Sequence, residues 1–169
     1  MRIDIDFHLL YGINDEGIKM WDTSLSDIIQ CFNIIHKDEH SEKMAKYLRS
    51  ADISEDSQIS TLLLLLNSIL RPTKVKKDFK PTILFAQEDT IIFVESDSDS
   101  RSKVDAVYSV YETWSAPSIV KLVFLAPNTL TLSGRYYVVY KHLIYQVDSV
   151  ARAIDVLVKM THLGWSFHE

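Results

Sequence analysis

Glycine is scarce: the chain of 169 residues has 4, where average usage would give roughly a dozen. Gly12, Gly17, Gly134 and Gly164 are too dispersed to build G-x-G-x-x-G, a P-loop or G-x-S-x-G, which excludes nucleotide binding and serine hydrolysis by those routes. Each reads as punctuation instead, in an opening turn, before a strand or after a last helix. Cysteine is nearly absent. Cys31 stands alone, so neither an intramolecular disulfide nor a multi-cysteine zinc site can form, and a reducing compartment is expected.

Long apolar runs are missing too. The longest, at 62–66 and 122–126, fall far short of the ~20 residues that cross a bilayer. The first residues, Met1, Arg2, Ile3, Asp4, Ile5 and Asp6, lack the apolar stretch of a secretory signal, and no N-glycosylation sequon or lipidation box occurs. A cytoplasmic protein that is neither secreted nor transmembrane is expected. Bulk basicity is also lacking: the formal net charge of -5 disfavours a generic nucleic-acid binder, and sequence-specific nucleic-acid binding is not expected.

What is present is the composition of one packed globule, 47% hydrophobic and 24% charged. Ile3, Ile5, Phe7, Leu9 and Tyr11 alternate with polar residues, which predicts a strand; turn residues and a short return over 18–21 would complete a hairpin. Leu25, Ile28, Ile29, Phe32 and Ile35 predict a first helix, capped by Thr23 or Ser24. A second, amphipathic helix is predicted over 41–50. A third begins near Ser54 or Ser57, carries Ile59, Leu62, Leu63, Leu66, Ile69 and Leu70 on one stripe, and ends before Pro72. Leu64 and Leu65 widen the stripe, so this helix should be buried on most sides.

Further on, 82–86 and 90–95 read as a hairpin, and 96–102 as a solvated serine and aspartate loop. Strands are predicted over 104–114, 119–125, 129–132 and 135–147, the last folding back at Lys141 and His142. Asp148 or Ser149 caps a final helix with Val150, Ile154, Leu157 and Val158 inside and Gly164 at its C-cap. Segregated strands and helices predict a single α+β domain, 1–169, with a largely antiparallel sheet packed against helices.

Three patterns could carry chemistry. His36, Lys37, Asp38, Glu39 and His40 spell H-x-x-E-H, in which two histidines bind zinc and the glutamate activates water. Its place in a short polar link before Ser41 favours a solvated connector, and no metal is assigned. Cys31 between Ile28, Ile29 and Phe32 reads as a small core residue, and Asp4 and Asp6 as an exposed strand face. No catalytic residue and no cofactor is assigned.

Two clusters suggest contacts. Arg71, Lys74, Lys76, Lys77 and Lys80 set five cations against one acid in ten residues, whereas 1–39 holds 3 cations and 8 acids and 81–105 holds 2 and 6. This one basic segment suits an anionic membrane surface or a nucleocapsid. Tyr108, Tyr111, Trp114, Tyr136, Tyr137 and Tyr140 are strand-formers that also suit an association surface.

The order of elements, together with Tyr108, Ser109, Glu112, Thr113 and Trp114 before the apolar 119–125 and then Leu132, Ser133, Gly134, Arg135 and Tyr136, resembles the folded domain of rhabdovirus matrix proteins, the short plant-infecting type nearest. The chain departs from that family in lacking a basic N-terminal tail and a P-P-x-Y or P-[ST]-A-P motif. The resemblance implies self-association beneath an envelope, in host cytoplasm and virion, with further copies of itself, viral nucleoprotein and membrane as partners. No family motif maps onto the basic segment, which is assigned from charge alone. The leading expectation is therefore a non-enzymatic structural or interaction protein. Its rivals are a cytosolic adaptor or immunity-type protein that binds one partner through a tyrosine-rich sheet, and a zinc hydrolase using His36 and His40.

Overall fold

The computed structural model describes residues 8–9, 27, 30, 39–49, 52–70, 82–113, 120–129, 131–132, 134–141 and 143–166. These form five helices and one four-stranded mixed sheet, the α+β class expected. The predicted opening hairpin lies mostly outside them; of its residues His8 and Leu9 are described and are helical, which overturns the strand reading there. Asp27 and Gln30 are helical, as predicted.

Helix α1 (Glu39–Tyr47) starts on Glu39 and Glu42, which favour its positive end, and buries Ser41 and Ala45. Helix α2 (Glu55–Ile69) is capped by Ser54, whose hydroxyl accepts from the Ser57 amide at 3.2 Å. It is buried on most sides, as expected, but on a rotated face. Ile59, Leu62, Leu64 and Leu65 are buried together with Ser57, Ser60, Thr61 and Ser68, and Leu70 is exposed. The hydroxyls make this burial tolerable: Ser60 and Thr61 donate to the Ser57 carbonyl at 3.2 and 2.6 Å, and the Ser68 hydroxyl bonds that of Ser41 on α1.

The hairpin predicted over 82–95 is instead helix α3 (Ile83–Thr90) followed by strand β1 (Ile91–Val94). Thr82 decides the matter by accepting from the Phe85 amide at 3.1 Å, a helix cap where a strand start was read. The next correction has the same cause. Residues 96–113, read as a loop and a strand, form helix α4 (Asp97–Thr113), because the Ser96 hydroxyl accepts from the Asp99 amide at 3.3 Å and donates to its carboxylate at 2.6 Å. Val104, Val107 and Tyr108 then fall at helical spacing against the sheet, which their strand propensity concealed.

Strands β2 (Lys121–Leu125), β3 (Tyr136–Tyr140) and β4 (Leu143–Val147) follow. No strand is found among the described residues of the span 129–132: 129 lies in a turn, 131 in a bend, and 132 is irregular. The sheet order is β1-β2-β3-β4. Helix α4 crosses over between parallel β1 and β2, and the other two pairings are antiparallel. The chain folds back at 141–142 as predicted, with Lys141 at φ 54, the left-handed value that a two-residue hairpin turn demands.

Helix α5 (Val150–Ser166) is capped by Ser149, which accepts from the Arg152 amide at 3.2 Å. It runs through Gly164, so that glycine is no C-cap. Its buried stripe is Val150, Ala153, Val156, Met160 and Leu163, one step round from the predicted one, and Val158 is exposed. Helices α5 and α2 cover one face of the sheet over Ile91, Leu122, Phe124, Tyr136 and Val138, while α4 covers Ile92, Val94, Val123 and Leu125 on the other. Phe124 and Tyr136 pack edge to face at 4.9 Å.

Asp56 joins three of these elements. From the first turn of α2 its carboxylate accepts from the Tyr136 hydroxyl on β3 and from the Val150 amide at the head of α5, each at 2.8 Å. Burial, then the bond to Asp56 and its negative charge, push the Tyr136 hydroxyl well above the usual tyrosine range. The folded chain thus keeps a proton that the unfolded chain releases near pH ~10, so this stabilisation is full below about pH 10 and is lost as pH rises further. Tyr136→Phe should cost about 2 kcal/mol at neutral pH. It should also flatten the alkaline loss of stability, both read from urea unfolding at a series of pH values.

Candidate functional site

The basic segment Arg71, Lys74, Lys76, Lys77 and Lys80 lies outside the described residues, as do Cys31, His36, Asp4, Asp6 and Trp114. Tyr111 belongs to α4 rather than to a strand. Tyr136 is a correction: at 1% exposure it is a core residue held by Asp56, and cannot serve an association surface. Tyr108, Tyr137 and Tyr140 are half-buried. The Tyr108 hydroxyl donates to the Val139 carbonyl at 3.1 Å and accepts from the Lys141 amide at 3.3 Å, locking α4 to the β3-β4 hairpin. Burial raises its pKa, an effect the Lys141 amide opposes.

Of the H-x-x-E-H residues, Glu39 and His40 open α1, where Glu39 pairs with Lys43 at 2.7 Å on an exposed face. Among the described residues no group of three or more histidine, cysteine or acidic side chains could hold a metal ion. No helix among them is long and apolar enough to cross a membrane.

The two edges of the sheet differ. Among the described residues β4 pairs only with β3, and all five of its residues are exposed or half-buried. Leu143 and Ile144 are 42% and 56% exposed. The strand carries no charge, while Lys141 precedes it and Asp148 follows it, both exposed. At the opposite edge, α3 packs on β1, and residues of α1, α3 and β1 line a cavity of about 640 Å³. Its walls include Met44, Leu64, Leu84, Ile91 and Phe93, together with Gln87.

A buried ion pair ties α3 to the sheet beside that cavity wall. Lys121, 1% exposed at the start of β2, bonds the Asp89 carboxylate and donates to the Asp89 carbonyl at 3.2 Å. Desolvation lowers the Lys121 pKa, and the Asp89 bond and charge oppose this. Gln87 and this pair were missed from the sequence. A lysine at the head of an apolar run was the one available signal, because tertiary pairing alone makes either residue special.

Comparison with protein-family models, curated proteins and solved structures returned no match.

The two partners of the ion pair are unequal, since Asp89 is 23% exposed and Lys121 almost wholly buried. Asp89→Ala removes the carboxylate from a buried cation, which keeps the residue-89 carbonyl, and should cost about 3 kcal/mol. Lys121→Met leaves a carboxylate that water still reaches and should cost about 1 kcal/mol or less. Denaturant midpoints of the two variants measure the asymmetry.

Proposed function

We propose that this chain is a non-enzymatic interaction protein that self-associates through the outer edge of its sheet. The observation that carries the reading is β4: among the described residues an edge strand, with no charge of its own and with Leu143 and Ile144 exposed. A second copy fits it better than an arbitrary strand. Antiparallel pairing centred on Tyr145 sets Leu143 opposite Val147 and Ile144 opposite Gln146, and brings Lys141 of each copy opposite Ser149 of the other, at the end of the pair where that copy's Asp148 also stands. The pairing opposes no like charges and continues the sheet from one copy to the next.

A viral matrix protein is the most concrete form of this reading. In it, edge pairing supplies the dimeric unit from which a layer is built, and Arg71, Lys74, Lys76, Lys77 and Lys80 supply contact with anionic lipid or with the nucleocapsid in the host cytoplasm. An adaptor would use the same edge for one foreign strand.

Light scattering coupled to size exclusion should show a dimer that dissociates on dilution. Ile144→Lys, at an exposed position that leaves the core intact, should weaken it about tenfold, ~1.4 kcal/mol. A monomer at every concentration, or an unchanged dimer in the variant, overturns the self-association reading. For the matrix form, flotation with phosphatidylserine vesicles should succeed at low salt, fade at high salt, and fail when the five cations are changed to glutamine. Failure of the unaltered chain to float at low salt removes the membrane role.

A further inference from the structure

We infer that the cavity between α1, α3 and β1 is a binding site for an uncharged, mainly apolar small molecule that carries one hydrogen-bond donor. It lies at the opposite edge of the sheet from β4 and stands or falls apart from self-association. At about 640 Å³ it falls within the range of pockets that enclose a ligand of several rings. Met44, Leu64, Leu84, Ile91, Ile92 and Phe93 make most of its wall apolar, which favours an apolar body over a charged one.

The donor follows from Gln87. This side chain is 4% exposed and forms part of the wall. Its Nε2 donates to the Leu64 carbonyl at 3.3 Å, which settles the orientation of the amide, since the reverse would set two carbonyl oxygens against each other. Oε1 is left buried with no hydrogen-bond partner. Buried side-chain oxygens are nearly always paired; this one, closed to a water-sized group as the side chain stands, serves a ligand as acceptor when Gln87, which forms part of the wall, turns toward the cavity. A carboxylate ligand meets this oxygen with repulsion. The wall also carries His40, Lys43 and Glu88; Lys43 is paired with Glu39 at 2.7 Å and Glu88 repels an anion, so a fatty acid is the poorer fit.

The probe for this site is N-phenyl-1-naphthylamine, an uncharged ring system with one N–H whose emission rises in apolar surroundings. It should bind the full chain saturably, one per chain, and more tightly than its N-methyl derivative, which lacks the donor. Leu84→Glu, at an exposed position beside the cavity, should abolish binding while far-UV dichroism stays unchanged. Gln87→Leu should weaken the N–H probe about tenfold and leave the N-methyl probe unaffected. Absence of saturable emission, or binding retained in Leu84→Glu, overturns the site. Equal affinities of the two probes for the unaltered chain overturn the role of Gln87 even if its variant fails to fold. Tighter binding of the anionic 8-sulfonate analogue overturns the preference for an uncharged ligand.

Discussion

The carboxylate of Asp56 is the constraint on which the arrangement of layers rests. It sits in the first turn of α2, where the helix dipole favours negative charge, and it accepts from the Val150 amide, one of the orphan donors at the head of α5. One residue thus serves the positive ends of two helices. Its other oxygen takes the Tyr136 hydroxyl, so the aromatic core around Phe124 is anchored to the same point. The contact spans 80 residues in sequence to Tyr136 and 94 to Val150, so it closes the fold between its helical part and its strand-rich part. Apolar packing supplies most of the free energy but is non-directional. The register of α2, β3 and α5 comes from this carboxylate.

How far the sequence could be read depended on whether local chemistry and tertiary demand agreed. At Ser54, Ser149 and the Lys141 turn they agree, and the elements they bound stand where expected. At Thr82 and Ser96 a capping hydroxyl competes with a following run of strand-formers. The cap prevails because helical spacing sends Val104, Val107 and Tyr108 to one face of the sheet. The rotated stripes of α2 and α5 have another origin. Ser57, Ser60, Thr61 and Ser68 look polar in a sequence yet are buried, because Ser60 and Thr61 find the Ser57 carbonyl three and four residues back while Ser57 and Ser68 bond the hydroxyls of Ser54 and Ser41. Tyr136 illustrates the opposite error, an apparent surface tyrosine whose hydroxyl has a buried partner far along the chain. The candidate cavity was least legible, since Gln87 becomes an orphan acceptor only once Leu64 has taken its amide nitrogen.

The unequal treatment of the two sheet edges follows from connectivity. Helix α3 leads directly into β1 and packs on that edge, whereas β3 and β4 are joined by a two-residue turn, and among the described residues no further strand pairs with β4. Helix α4, bound to the β1-β2 crossover, packs on those two strands and reaches the hairpin mainly through Tyr108. A meander that ends a sheet must either charge its last strand or give it a neighbour. Here the charges stand at its two ends, Lys141 and Asp148, where the proposed antiparallel copy would bring opposite signs to the same end of the pair.

Polarity inside the molecule is also divided. The α5 side of the core is largely an apolar stripe against aromatic rings, with the Val150 amide met at Asp56 and the buried Lys159 paired with Asp155 at 2.9 Å. The α1 and α3 side holds the Ser41 and Ser68 hydroxyls, the Asn67 amide on the Thr90 hydroxyl at 2.9 Å, the Lys121 and Asp89 pair and the open acceptor of Gln87. Hydrogen bonds and buried ions return little net stability compared with apolar burial, since the same groups were well solvated before folding. Separation of α3 from β1 therefore forfeits less than separation of α5 from the sheet. Local opening concentrates where the stabilising surplus is smallest, and here that place is the wall of the cavity. The side of the sheet that can admit a ligand is thus the side whose opening costs least, while the hairpin edge is held by the apolar side and by Tyr108.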